Sequence, residues 1–283
     1  MTDYDRVMAA EISGVISPIR ELGRAGSSDA SVVATRDERW DARSYLVSSG
    51  TDAVLIDGNG NLEPLVGHAR AQGLDLHAAL LTHTHEDHVA GIAELRASGV
   101  QVMAHAAAPG GFHDRDLQAG AIVRFGELEI EPIHLPGHDA TQFAYRAGSV
   151  VATGDSIYRH TVAGHSEPSE ASFAEHMGGI DARILGLAPD TVILPGHGPA
   201  TTVADELAAN PFIRLFRGVD QPPPPRACRV GGPFGLWEAE LVLLAVDYDG
   251  GRKALVRFPT IGRSIVPGSQ LYTTDGRPWP VDG

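Results

Sequence analysis

The sequence predicts a layered α/β domain followed by a small all-β module, and three observations carry that prediction. Short apolar strand-like runs alternate with helical segments from about residue 30 to about residue 215, the order of a layered α/β fold. Several of these runs end in glycine-bearing turns that carry histidine or aspartate. Four consecutive prolines at 222–225 then separate this region from a strand-rich tail.

Taken in order, residues 31–34 (SVVA), 44–47 (SYLV) and 53–56 (AVLI) read as strands, with Gly50-Thr51-Asp52 as a hairpin turn between the last two. Residues 62–72 read as a helix stopped by Gly73. Residues 78–81 form a short buried strand running into a His-rich loop; 89–97 read as the next helix and 100–104 as the next strand. A hairpin over 121–135 turns near Gly126-Glu127, and strands follow at 143–145 and 150–153. Residues 169–187 are helical in pattern, although Gly178-Gly179 weakens the middle. A strand at 191–194 and a helix at 203–209 close the region. Beyond the prolines, strands are expected at 239–248, 253–258 and 264–266, with Asp249-Gly250-Gly251 as the turn between the first two. The division expected is a domain over 1–219, a linker over 220–226 and a β module over 227–283. The module has a faint SH3-like pattern and suits a lid or a dimerisation element.

Composition narrows the function classes. With 36 acidic against 22 basic residues the net charge is −14, and Lys253 is the sole lysine, so a nucleic-acid partner is not expected. A small-molecule substrate fits better. No uncharged apolar run approaches the ~20 residues that span a bilayer, and residues 1–23 lack a secretory apolar core. A cytoplasmic protein without membrane contact is the expectation. Cys228 is the only cysteine, so no disulfide can form within the chain.

Placement matters more than number among the thirteen histidines. His83-Thr84-His85-Glu86-Asp87-His88 sets three imidazoles and two carboxylates in six residues directly after a strand. In extended backbone His83 and His85 point the same way, while Asp87 and His88 fall where a helix begins. His138 follows Pro136-Gly137, Asp155 follows Gly154, and His197 follows Pro195-Gly196, each at a strand end. Imidazole with carboxylate suits zinc, iron or manganese. The other eight histidines (68, 77, 105, 113, 134, 160, 165 and 176) are expected to be structural.

The run His83-x-His85-x-Asp87-His88 followed by His138, Asp155 and His197 resembles the metallo-β-lactamase superfamily over about residues 30–215. That resemblance implies a four-layer αββα sandwich and two divalent metal ions, zinc before iron or manganese. It implies one ion on His83, His85 and His138, a second on Asp87, His88 and His197, and Asp155 bridging both together with a water or hydroxide. Two cations make such a water acidic enough to attack at neutral pH.

Within the superfamily, zinc β-lactamases of the commonest class carry cysteine where Asp155 stands, and Cys228 lies outside every motif. Pro195-Gly196-His197-Gly198-Pro199, then Glu206 and Asn210-Pro211-Phe212, resembles the glyoxalase II-like hydrolases. Their chemistry implies hydrolysis of a small acyl substrate, a thioester or a lactone. Four departures separate this chain from that branch: Asp139 stands where threonine is usual, Ser156-Ile157-Tyr158 replaces Thr-Leu-Phe, Gly164-His165 replaces Gly-Arg, and the helical glutathione-binding tail is missing. Asp139 is a candidate proton donor or orienting group, Tyr158 a candidate pocket residue, and Asp87 and Asp155 serve catalysis as ligands. The alternatives are a mononuclear iron oxygenase resembling persulfide dioxygenases, and a cyclase or thioesterase of a biosynthetic pathway on the same fold. A homodimer is left open.

Overall fold

A computed structural model describes residues 17–19, 30–109, 111–165, 168–232 and 235–280. The first sheet contains β1 (Ser17–Ile19), β2 (Ser31–Arg36), β3 (Arg43–Ser49), β4 (Asp52–Ile56), β5 (Asp75–Leu80), β6 (Gln101–His105) and β7 (Arg115–Leu117), in that spatial order. β1 to β4 form an antiparallel meander, whereas β4 to β7 run parallel. Parallel neighbours need a crossover, and the helix Glu63–Gln72 supplies the one between β4 and β5. Gly73, in the left-handed region at φ 67°, ends that helix.

The second sheet begins with β8 (Val123–Phe125), β9 (Leu128–His134), β10 (Phe143–Ala147) and β11 (Val150–Gly154). A small hairpin of β12 (Ile157–Tyr158) and β13 (Thr161–Val162) follows, before the chain returns as β14 (Val192–Pro195) and β15 (Thr201–Thr202) to complete that sheet. β11 and β14 pair in parallel.

Strand residues alternate between two environments, which is why both sheets are covered on both faces. Val32, Tyr45, Val47, Val54, Ile56 and Leu80 meet Phe143, Tyr145, Val150 and Leu194 between the sheets. The intervening residues Val33, Leu46, Leu55 and Ala79 pack outward on Leu65, Ala69, Ile92 and Leu95 of the helices. On the far side Ala144, Val151 and Ile193 pack outward on Phe173, Met177, Ile180, Phe212 and Ile213. These packing layers make an αββα sandwich, as the sequence predicted.

Local differences from the sequence reading have physical causes. The helix expected over 89–97 is two short ones, Glu86–Val89 and Ile92–Ala97, broken at Gly91, where the chain passes close to the Asn59 carbonyl. The helix Glu170–Gly179, capped by the Ser169 hydroxyl, widens into a π turn over Ile180–Ile184 immediately after the two glycines. Pro211–Phe216 forms a helix that the reading left unassigned. Asn210 caps it by accepting from the Phe212 and Ile213 amides.

After the exposed prolines a separate antiparallel sheet forms from β16 (Arg226–Gly232), β17 (Gly235–Val246), β18 (Arg252–Phe258), β19 (Gly262–Pro267) and β20 (Leu271–Tyr272), in the order β19-β18-β17-β16-β20. β16 was not anticipated, because Arg226, Arg229 and two glycines mask its alternation, and β17 starts earlier than residue 239. The sheet has its own core around Cys228, Leu241, Val256 and Leu271. Leu255 and Ile265 face the other way and join the cluster of Phe173, Met177, Phe212 and Ile213. The seam between tail and sandwich is therefore apolar.

Candidate metal centre

Strand ends bring the motif residues together. β5 ends at Leu80, and Leu81 and Thr82 carry the chain into the loop that bears His83 and His85. The helix Glu86–Val89 then presents Asp87 and His88. His138 leaves the β9–β10 turn, Asp155 follows β11 and His197 follows β14. Two buried tyrosines brace these ends: Tyr145 donates to the Leu81 carbonyl at 2.7 Å and Tyr45 to the Pro195 carbonyl at 2.6 Å. Gly196 has no alternative, since a Cβ there would overlap the Asp155 carboxylate and sit 2.7 Å from His88 Cε1.

Two ligand sets lie side by side. His83 Nε2 and His138 Nε2 approach His85 Nδ1 at 3.0 and 3.1 Å. Asp87 Oδ2 lies 3.1 Å from His197 Nε2 and 3.6 Å from His88 Nε2. Asp155 stands between the sets, with Oδ1 3.2 Å from His88 Nε2 and Oδ2 3.3 Å from His197 Nε2 and 3.8 Å from His138 Nε2. His83, His85 and His138 form one candidate metal group, Asp87, His88 and His197 another, and His83, His88 and Asp155 a third that joins them.

The hydrogen bonds on the outer ring nitrogens test whether a cation fits. Thr82 spends its hydroxyl proton on Asp57, so it accepts from His83 Nδ1 at 3.1 Å and leaves the Nε2 lone pair facing inward. His138 Nδ1 donates to the Gly164 carbonyl at 2.7 Å, with the same result. His88 Nδ1 donates to Asp57 at 2.9 Å and its Nε2 faces two carboxylates; against the cost of burial, Asp155 and Asp57 push its pKa well above the usual value. Buried His88 Nε2 and Asp155 Oδ1 have no hydrogen-bond partner. Ring nitrogens converging on carboxylate oxygens need a positive charge between them, a proton in the metal-free protein or a metal cation in its place. Nitrogens ~2.0–2.1 Å from tetrahedral zinc stand about 3.3 Å apart, close to the spacing of the first set. The residues fit a metal centre.

Electrostatics agree. Burial opposes charge on Asp155, yet His197 and His88 hold its carboxyl well below the ordinary range. Burial also opposes charge on His197, but Asp155 and Asp87 push its pKa up to about 10. Burial, aided by His88, drives His83 well below its usual value. A centre with this much unbalanced charge and desolvation is typical of a ligand set or a catalytic site.

Asp57 was missed by the sequence reading. It leaves β4 at φ 59° and accepts from the Thr82 amide, the Thr82 hydroxyl and His88, so one carboxylate orients two of the ligand histidines directly or through Thr82. The signal available was the turn Ile56-Asp57-Gly58-Asn59 at a strand end, which carries no histidine to draw notice.

The remaining candidates divide. Tyr158 is buried against the centre; burial and the Asp155 charge raise its phenol well above its ordinary value, and it hydrogen-bonds Asp155. Its ring lies 5.7 Å from His197, edge-on. Asp139 turns away into its own loop, accepting from the Thr141 amide at 2.7 Å and hydroxyl at 2.6 Å. Of the histidines expected to be structural, His160 forms a fourth, separate cluster with Asp205 and Glu206. There Glu206 is already saturated by the His160 amide, Thr201 and Asn210. His165 and His176 lie behind the centre and donate in series to the Ser156 carbonyl. Cys228 is buried in the tail, its thiol pushed up to about 11 by burial.

The fold and the paired His/Asp cluster at its strand ends define a class of metal-dependent enzymes. A family model described as the metallo-beta-lactamase superfamily matches residues 38–126. A probable metallo-hydrolase of Bacillus subtilis, YqgX, is 27% identical over 198 residues, covering 62% of this chain and 93% of that protein. The hydroxyacylglutathione hydrolase GloC of Haemophilus influenzae is 27% identical over 186 residues, covering 57% and 87%. The crystal structure of ETHE1 from Myxococcus xanthus superposes with a TM-score of 0.58 at 22% identity, covering 68% of this chain and 92% of that one. The chain is similar to metallo-hydrolases of the metallo-β-lactamase superfamily, with glyoxalase II-like hydrolases among the proteins it resembles, and it shares their fold. Among the described residues no helix is long and apolar enough to cross a membrane.

Proposed function

We propose that this chain binds two divalent metal ions and hydrolyses a small acyl substrate, a thioester or lactone. The observation that carries this reading is the second ligand set: Asp87, His88 and His197 converge as closely as His83, His85 and His138 do, with Asp155 reaching both. A mononuclear iron oxygenase on the same residues would leave Asp87, His88 and His197 without metal, so metal content separates the two readings.

When bound, a pair of such ions supplies an acidified water and polarises the acyl oxygen. The protein's own groups do the rest. His83, His85 and His138 would hold one ion and Asp87, His88 and His197 the other, with Asp155 placed to serve both. Asp57 fixes the His88 tautomer and, through Thr82, that of His83. Tyr158, kept protonated by burial beside Asp155, is a neutral donor at the edge of the centre. The pairing with hydroxyacylglutathione hydrolases supports a thioester, and zinc is the metal that imidazole with carboxylate favours first.

The test is metal content with turnover. Purified protein should hold close to two ions per chain and cleave a thioester or lactone from a panel of acyl and phosphodiester compounds. Asp155→Ala should lose both ions and about a thousandfold in turnover, whereas Asp87→Ala should lose mainly one ion. One iron per chain, with Asp87→Ala unchanged in metal and rate, would overturn the dinuclear reading.

A further inference from the structure

The tail does more than cover an apolar seam. The turn between β17 and β18 carries Tyr248, whose ring stacks on His197 with centroids 5.1 Å apart and planes 21° from parallel. The same ring meets Tyr158 edge-on at 4.9 Å. Gly198, at φ 69°, makes the approach possible, because a Cβ there would sit 3.0 Å from Tyr248 Cβ. The turn is anchored by the sole lysine: Lys253 pairs with Asp247 at 2.8 Å, both buried, and lies 6.0 Å over the Tyr158 ring. Tyr248 itself stays half-buried rather than enclosed.

We propose that Tyr248, supplied by the C-terminal sheet, is a substrate-contacting residue that forms an aromatic wall on the His197 side of the centre and selects acyl compounds with an uncharged leaving group. This rests on the acyl-hydrolase reading above. An aromatic face stacked on a ligand imidazole and flanked by a second aromatic edge offers a flat apolar surface to an acyl or leaving group. The charges beside it disfavour an anion. Asp247 and Asp249 flank Tyr248 in the chain, and Asp41 acts on its phenol through space. Asp41 is paired with Arg36 and Asp247 with Lys253, but the Asp249 carboxylate receives only the Gly251 amide among its described hydrogen bonds and ion pairs. Asp249 thus adds a negative charge next to Tyr248 without an ion-pair partner among those described, on a chain of charge −14. A leaving group bearing carboxylates would meet repulsion where an uncharged one would not.

The experiment uses the full metal-loaded chain and two thioesters with the same acyl group, one on N-acetylcysteamine and one on glutathione. The wild type should prefer the neutral thioester. Tyr248→Ala should keep its metal, raise KM for that substrate about five- to tenfold with kcat within about twofold, and lose much of the preference. Tyr248→Phe should stay near wild type, because the ring makes the wall. As a readout independent of turnover, dipicolinate should strip metal severalfold faster from Tyr248→Ala, whose His197 side is open. Unchanged KM, preference and stripping rate in Tyr248→Ala would overturn the proposal. If the wild type cleaves no acyl compound, the acyl-hydrolase reading falls, and the stripping rates still decide whether Tyr248 walls the centre.

Discussion

At the scale of single residues, the centre depends on groups that never face a substrate. Asp57 accepts from His88 and twice from Thr82, and Thr82 in turn accepts from His83, so its loss frees two imidazoles to rotate or change tautomer. Asp57→Ala should therefore weaken metal binding about 10- to 100-fold, as removal of such outer partners typically does. Titration of the apoprotein with zinc against a competing chelator measures this, and an affinity within twofold of wild type would show that the histidines are held by packing alone. Asp139 marks the opposite case. Adjacent to a ligand histidine it looked able to donate a proton, but its carboxylate is engaged with Thr141 in the turn. Sequence neighbours of a ligand share its loop without sharing its direction.

At the scale of elements, β19 is joined to the layer behind the centre by a neutral imidazole relay. The Ile265 amide donates to His165 Nδ1 at 3.2 Å, which leaves His165 Nε2 to donate to His176 Nδ1 and His176 Nε2 to donate to the Ser156 carbonyl at 2.8 Å. Protonating either ring places a hydrogen on a nitrogen that has to accept. Burial, with His138 adding to it, accordingly lowers His165 from its ordinary 6.5 to about 4, and burial with His165 and His138 drives His176 well below its usual value. The unfolded chain then binds protons that the folded chain refuses between pH ~6.5 and ~4. Stability from this pair is fully present above pH ~6.5 and is lost as pH falls toward ~4, by on the order of 2–3 kcal/mol for His165. Urea midpoints measured from pH 8 to pH 4.5 should fall across that window, and His165→Gln should flatten the slope. Equal slopes in the two proteins would remove the relay from the account.

At the scale of the whole molecule, the prolines at 222–225 separate two sheets, but the second sheet, besides its own core, also joins the core of the sandwich. Leu255 and Ile265 pack with Phe173, Met177, Phe212 and Ile213, and Glu170 of the sandwich pairs with Arg263 of the tail at 2.9 Å. Protein ending at Val219 should expose that apolar face and self-associate or unfold at ordinary temperature, although the proline run by itself suggests a complete domain. Sedimentation and thermal unfolding of the shortened protein test this; a stable monomer with full metal content would show that the seam is dispensable.

The sequence by itself determined the layered strands and the candidate ligand residues, because both are written in local chemistry. Period-two apolar runs specify strands wherever they fold, and a histidine after Pro-Gly or an aspartate after Gly is recognisable without knowing its neighbours. Tertiary structure alone decided the rest. Asp57 is 25 residues from Thr82 and 31 from His88, and no spacing rule connects them. Tyr248 lies beyond the prolines in a turn whose Asp-Gly-Gly pattern announces only a hairpin, so its stacking on His197 depends on how the third sheet docks. Docking is set by the shape and apolar area of two surfaces assembled from distant segments, and a linear pattern records the composition of such surfaces but not where they meet.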